Sequence, residues 1–229
     1  ASRGVMKTRD RILKASLQLF NEQGERNVTT NHIAAELGIS PGNLYYHFRN
    51  KTDIIYSLFI QYRALVDRYL RVPRDRTLTI EDQMFYLESV FDGLWYYRFF
   101  HRDLEYLLTT DERLRMDYRE FTFQCLTEVR AVLQGLEGAG ILHPHSEQEQ
   151  EAMALNVWLV VTNWMAFLKT ARADGGSDAT SQEELKQGIY QVLTLEMPYL
   201  TDEYYDKVAA VRERYRPQLS RVQAEVEGS

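Results

Sequence analysis

Apolar residues recur at three- and four-residue spacing through most of this chain, and few stretches alternate strictly enough to suggest strands. Ile12, Ala15, Leu19 and Phe20 share one face of a first predicted helix, with Arg11, Lys14 and Gln18 outward and Gly24 closing it. Ile33, Ala34 and Leu37 mark a second, which either Thr29 or Thr30 can cap. Gly38 suits the left-handed residue that ends a helix, Ile39 plugs the corner, and Ser40 caps a third helix beginning at Pro41. Small Ala34 and Gly38 let the two helices cross closely, and Leu44 and Phe48, one turn apart, pin the third to the core.

Beyond this pair the same period predicts helices almost throughout. One runs from a cap at Thr52 to about Val72, with Ile55, Leu58, Phe59, Tyr62, Val66 and Tyr69 on one side and Pro73 ending it. Another opens at Thr79 and reaches about Phe100, followed by a short element at Leu104 to Leu108. A long helix from Asp111 to about Leu136 is closed by Gly135, Gly138 and Gly140. Ser146 with Glu149, and Ser181 with Glu184, have the spacing of capping boxes. The first opens a helix through Met153 to about Ala173, and the second opens one that Pro198 stops. Residues 174–180, DGGSDAT, read as a flexible break, and Thr201 begins a charged helix to about Val226. No repeat period emerges. The expected fold is all-α: a three-helix N-terminal helix-turn-helix domain over residues 1–52, then a larger helical domain for ligand binding and dimerisation over residues 53–229.

In TTNHIAAELGISPGNLYYHFRNK, residues 29–51, the burial pattern leaves Pro41, Gly42, Asn43, Tyr46 and His47 facing out. Little side-chain bulk stands at the N-terminal end of that face, so Gly42 lets the helix press into a major groove where Asn43 can address base edges. Tyr45, Tyr46 and His47 add hydroxyl and imidazole donors, and Lys51 is expected to meet a phosphate as a point charge. The helix N-terminus at Thr30 and Asn31 offers backbone N–H groups that favour phosphate. Helix pairs with short turns are common in all-helical proteins; two tyrosines, a histidine and a glycine on the outward face are what set this one apart.

From about Lys7 to Asp53 the chain closely resembles the DNA-binding domain of the TetR family of bacterial one-component transcription regulators. The residues TT, IA, GIS, G, LYYHF and K follow the first helix in the family's order and spacing. One departure is Glu25, where the family usually has an aromatic just after the glycine. The resemblance implies a homodimer that binds double-stranded operator DNA.

Charge supports docking independently. Residues 1–52 hold eight Lys and Arg against four acids, and the remainder 19 against 29. A basic head would neutralise phosphates while an acidic body stays off the duplex, so binding should weaken steeply with salt. At 229 residues, 45% of them hydrophobic and 12% aromatic, the chain can bury a sizeable core. Its one cysteine, Cys125, excludes an internal disulfide framework and fits a reducing cytoplasm, the expected location. Arg3, Lys7, Arg9, Arg11 and Lys14 interrupt any signal-peptide pattern. The most apolar segment, Met153 to Leu168, is shorter than the roughly 20 residues a bilayer needs, so no membrane partner is expected.

Met153, Val157, Val160, Trp164 and Phe167 form a seam on a helix that is apolar nearly all round and needs neighbours on both sides. With Leu185, Ile189 and Val192 beside it, this seam is the expected dimer interface across a two-fold axis. Aromatics crowd residues 85–100 and recur at Tyr118, Phe121, Phe123, Trp158, Trp164 and Phe167. Bulky helices leave or line cavities, so Phe91, Trp95, Phe121, Trp158 and Thr162 are the candidate lining for a hydrophobic or amphipathic effector, with Tyr62 nearest the head. Arg98, His101 and Asn163 are candidates to orient a polar group. Plain packing is the stronger reading of the lining residues, and satisfying a backbone carbonyl or facing solvent is an equal reading of Arg98, His101 and Asn163.

His143 and His145 flank Pro144 with Glu147 nearby, a pattern unlike helical ligand spacing, so no metal and no cofactor are expected. With no phosphate loop and no nucleophile elbow, nothing asks for an enzyme. The sequence thus points to a ligand-responsive repressor, with two other readings open: control by a protein partner, or a helical enzyme carrying an incidental helix pair.

Overall fold

In the computed structural model, which describes residues 6–171 and 180–217, the chain is built of helices, several of which begin at capping side chains. In chain order they are α1 (Thr8–Gln23), α2 (Thr30–Leu37), α3 (Pro41–His47), α4 (Lys51–Tyr69), α5 (Ile80–Tyr96), α6 (Arg98–Arg102) and α7 (Leu104–Thr110). After them come α8 (Glu112–Gly138), α9 (Glu147–Thr170), α10 (Gln182–Lys186), α11 (Gly188–Glu196) and α12 (Asp202–Glu213). Short 3-10 turns occupy Glu25–Asn27 and Met197–Tyr199. Among the described residues the one ladder-like pairing is an isolated bridge between Leu142 and Leu200. The fold is all-helical, as expected. The 174–180 break falls outside the described residues except for Thr180, as does the stretch 218–226 of the expected C-terminal helix.

Both capping boxes form, at Ser146 with Glu149 and at Ser181 with Glu184. The cap of α4 is Asn50 rather than Thr52: its carbonyl oxygen accepts from the Asp53 N–H at 2.9 Å.

The chain packs as two units. One comprises residues up to Val66 together with Tyr96–Arg119; the other comprises Asp67–Trp95 and the residues from Glu120 onward. In the first, Ile12, Phe20, Ile33, Leu44, Ile54 and Phe59 are fully buried along with Phe99 and Phe100 of α6. Phe99 lies 5.2 Å from Phe20 between ring centres, and Phe100 stacks on Phe59 at 5.4 Å. The expected helix from Thr79 to Phe100 therefore breaks at Tyr97, with neither glycine nor proline to cause it. Asn21 is the reason: its amide donates to the Tyr96 carbonyl at 2.9 Å, and its oxygen accepts from the Phe99 N–H at 3.0 Å. Those bonds satisfy backbone groups that an uninterrupted helix would have paired itself.

In the second unit α9 packs along α10 and α11, and α11 meets α12. Gly188 makes the first contact close, since a Cβ there would lie 2.6 Å from the Phe91 ring and 2.8 Å from Trp164. The single helix expected between Ser181 and Pro198 is split in two at Gln187, where the turn tightens and the Tyr190 N–H reaches the Gln187 carbonyl at 3.1 Å. Glu196, at the end of α11, is buried and accepts from the Gln83 amide of α5. Burial pushes its carboxyl up to about 7, the Gln83 bond only partly countering.

At 24 residues α9 is longer than its apolar core, and by length and apolarity it reaches the minimum for a membrane span. Length therefore does not argue against a bilayer, contrary to the sequence estimate. Its packed face is the evidence for a place inside the unit. Met153, Val157 and Trp164 of the expected dimer seam lie on that face, and Leu185, Ile189 and Val192 are buried with them. That part of the seam is turned inward, where α10 and α11 of the same chain cover it. Phe167 of the same seam is exposed (44%) and Val160 half-buried, and beside them Leu155 (47%) and Leu159 (49%) are exposed.

Candidate nucleic-acid interface

Thr29, not Thr30, caps α2: its hydroxyl oxygen accepts from the His32 N–H at 3.1 Å. Gly38 is left-handed with φ +65°, and the Ile39 N–H reaches back to the Ala34 carbonyl at 3.0 Å, closing the helix. Ser40 accepts from the Asn43 N–H at 3.1 Å and Pro41 occupies the first turn, so α3 starts at once. Leu44 and Phe48 are buried, as are Ile33 and Ala34. These few side chains fix the orientation of a helix only seven residues long.

Its other face is open. Pro41, Gly42, Asn43, Tyr45 and Tyr46 are exposed and His47 is half-buried. Tyr46 is 85% exposed, which leaves it almost no packing role; the His47 ring stands edge-on to it at 5.1 Å. A Cβ on Gly42 would meet only Ser40 Oγ, at 3.9 Å, so nothing inside the protein requires glycine there. The Tyr45 hydroxyl lies 2.9 Å from Thr30 Oγ1, tying α3 to the first turn of α2, where Asn31 is exposed.

Lys51 makes its contacts inside the head. Its ammonium donates to the carbonyls of Glu25 and Val28, each at 3.0 Å, and lies 2.8 Å from the Glu25 carboxylate. Three donors meet three acceptors, leaving none for a phosphate. The departure noted at Glu25 is thus a buried partner for Lys51. Arg49, which sequence reasoning passed over, is exposed just beyond α3; its position after buried Phe48 was the available signal. Lys7, Arg11 and Lys14 are exposed on or beside α1, whereas Arg9 lies over the Phe48 ring at 4.8 Å and bonds Ser57.

The effector candidates divide between the units. In the second, Phe121 is buried 6.3 Å from half-buried Trp158, and the Thr162 hydroxyl donates to the Trp158 carbonyl at 2.7 Å. Phe91 is buried against Gly188, and Trp95 is half-buried. Tyr62 belongs to the first unit, buried among Tyr97, Phe100 and His101. Burial pushes the His101 imidazole down to about 4, so it is neutral, and its Nδ1 meets no hydrogen-bond partner. Burial likewise lowers Arg98, while the Asn163 amide is spent on the Leu159 carbonyl at 3.0 Å.

Comparison with known proteins adds three findings. Residues 12–58 match the profile described as bacterial regulatory proteins, tetR family, and residues 61–208 match that of a bacterial transcriptional repressor, TetR. The crystal structure of a TetR-family transcriptional regulator from Marinobacter aquaeolei VT8 is similar at 65% identity, covering 93% of this chain and all of that one, with a TM-score of 0.86. The ketosteroid transcriptional regulator KstR2 of Mycobacterium tuberculosis is similar in fold alone, at 18% identity over 86% of this chain and 97% of that one, with a TM-score of 0.61. HTH-type transcriptional regulators of Staphylococcus aureus are 48% identical over 48 residues, which span 21% of this chain and 26% of theirs.

Proposed function

We propose a function from one premise: this chain belongs to the TetR family of bacterial transcriptional regulators. On that premise it is a repressor that leaves its operator when a hydrophobic or amphipathic small molecule binds the body. The observation that carries the DNA half is the outer face of α3, where Asn43 and Tyr46 stand clear while Leu44 and Phe48 hold the helix from behind. Asn43 and Tyr46 would read the major groove across Gly42 and Pro41. Thr30, Asn31, Tyr45, His47 and Arg49 would meet the backbone.

Two copies are needed, because paired recognition helices must reach successive major grooves about 34 Å apart. The exposed side of α9, with Leu155, Leu159 and Phe167, is the face we assign to the partner copy; a hydrophobic stripe of this kind fits a two-fold seam. The effector is placed among Phe91, Trp95, Phe121, Trp158 and Thr162. Coupling has a covalent route: the chain passes between its two units at Val66, Trp95 and Arg119, within α4 and α8 and at the end of α5. A ligand that favours one body conformation would shift the population of head orientations.

The test is selection of duplexes from a random-sequence library by the full-length protein, followed by anisotropy binding in a salt series. Wild type should enrich a near-palindromic site and Tyr46→Ala should lose it. Equal enrichment by both would refute the reading.

A further inference from the structure

The segment from Val28 to Lys51 is an excursion of 23 residues that contains all of α2 and α3. Its two ends are joined by one side chain. Lys51, the first residue of α4, holds the carbonyls of Glu25 and Val28 and the Glu25 carboxylate, so the entry to α2 and the exit from α3 are fastened at a single ammonium. Glu25 is enclosed, with a side chain 3% exposed, and its Oε2 has no partner. A carboxylate so placed depends on its cation, and removing that cation would leave a buried charge that opening of the 3-10 turn at Glu25–Asn27 would relieve. Opening that turn moves the start of α2, and α3 with it.

We propose that Lys51 is a positioning residue for the recognition helix, acting through the enclosed Glu25 carboxylate, and is not itself a phosphate ligand. The inference rests on the DNA-binding reading above. It assigns the first contact after α3 to Arg49, and it makes the glutamate that departs from the family's aromatic part of the reading head.

Binding of the full-length protein to a duplex selected by the wild type, followed by anisotropy over a sodium chloride series, separates the two roles. Lys51→Met should weaken binding by about tenfold or more while the slope of log affinity against log salt stays at the wild-type value. The double variant Glu25→Leu with Lys51→Met should regain most of that loss, because no orphaned carboxylate remains. A slope shallower by about one, or a double variant no better than the single, overturns the proposal. Urea unfolding of the wild type, Lys51→Met, Glu25→Leu and the double variant reads the pair without DNA, and additive destabilisation by the two substitutions also overturns it. Failure of the wild type to select any duplex would instead refute the DNA reading, leaving the urea cycle to decide the pair.

Discussion

Helices α3 and α9 make an instructive pair. The first has seven residues and the second 24, and both start on a serine cap, yet the shorter one declared its orientation in the sequence and the longer one did not. In α3, apart from Pro41 in its first turn, only Leu44 and the following Phe48 are large and apolar without a polar tip, so a single arrangement buries them and leaves the other side chains exposed or, for His47, half-buried. In α9 apolar residues run all the way round. Leu155 and Leu159 are as hydrophobic as Met153 and Val157, and nothing local says which pair faces α11. Contrast between faces, rather than length, makes a helix legible.

The heaviest blow to this contrast would be Leu44→Ala. Cutting a fully buried anchor should cost on the order of 2–5 kcal/mol by urea unfolding and abolish duplex binding. A cost below about 1 kcal/mol would mean that α3 is not held from behind.

Within the body, Glu196 should make stability depend on pH. Its folded-state value of about 7 lies above the ordinary 4.5, so the folded chain binds the proton more tightly. The contribution of this one group should be greatest below about pH 4.5, fall by on the order of 3 kcal/mol as pH rises to about 7, and level off above. Glu196→Gln should flatten that stretch of the melting profile. An unchanged slope would show that the carboxyl reaches water.

On α9 the two faces can be set against each other. Leu159→Asp should weaken self-association by roughly 2 kcal/mol in sedimentation equilibrium while the subunit keeps its helicity, whereas Val157→Asp should unfold it. The same loss of helicity from both would erase the distinction. The mildest probe is Ser40→Ala, which removes the cap of α3 and should cost about 1 kcal/mol in thermal unfolding, with a several-fold loss of duplex affinity.

Sequence reading reached the helix-turn-helix because its signals are local: Thr29, Gly38, Ser40 and Pro41 act on neighbours within a few residues. It located both capping boxes for the same reason. It failed where the cause lay far along the chain. The break at Tyr97 comes from Asn21, 75 residues before the carbonyl it binds. Lys51 was assigned to phosphate because a charge in isolation looks available; its acceptors at Val28 and Glu25 lie 23 and 26 residues away. Which side of α9 meets α11 is hidden for the same reason, since burial by another helix cannot be read from α9 alone.

The short bridge between the Tyr45 hydroxyl and Thr30 Oγ1 has one more implication. Two hydroxyl groups hold two hydrogens, and their mutual bond engages just one. Whichever group lends its hydrogen inward, the other keeps one to offer outward, and the roles can exchange by rotation about a C–O bond with no heavy atom moving. A phosphate oxygen approaching from the side of either helix would find a waiting donor, so the head can tolerate small differences in backbone path between one binding site and the next.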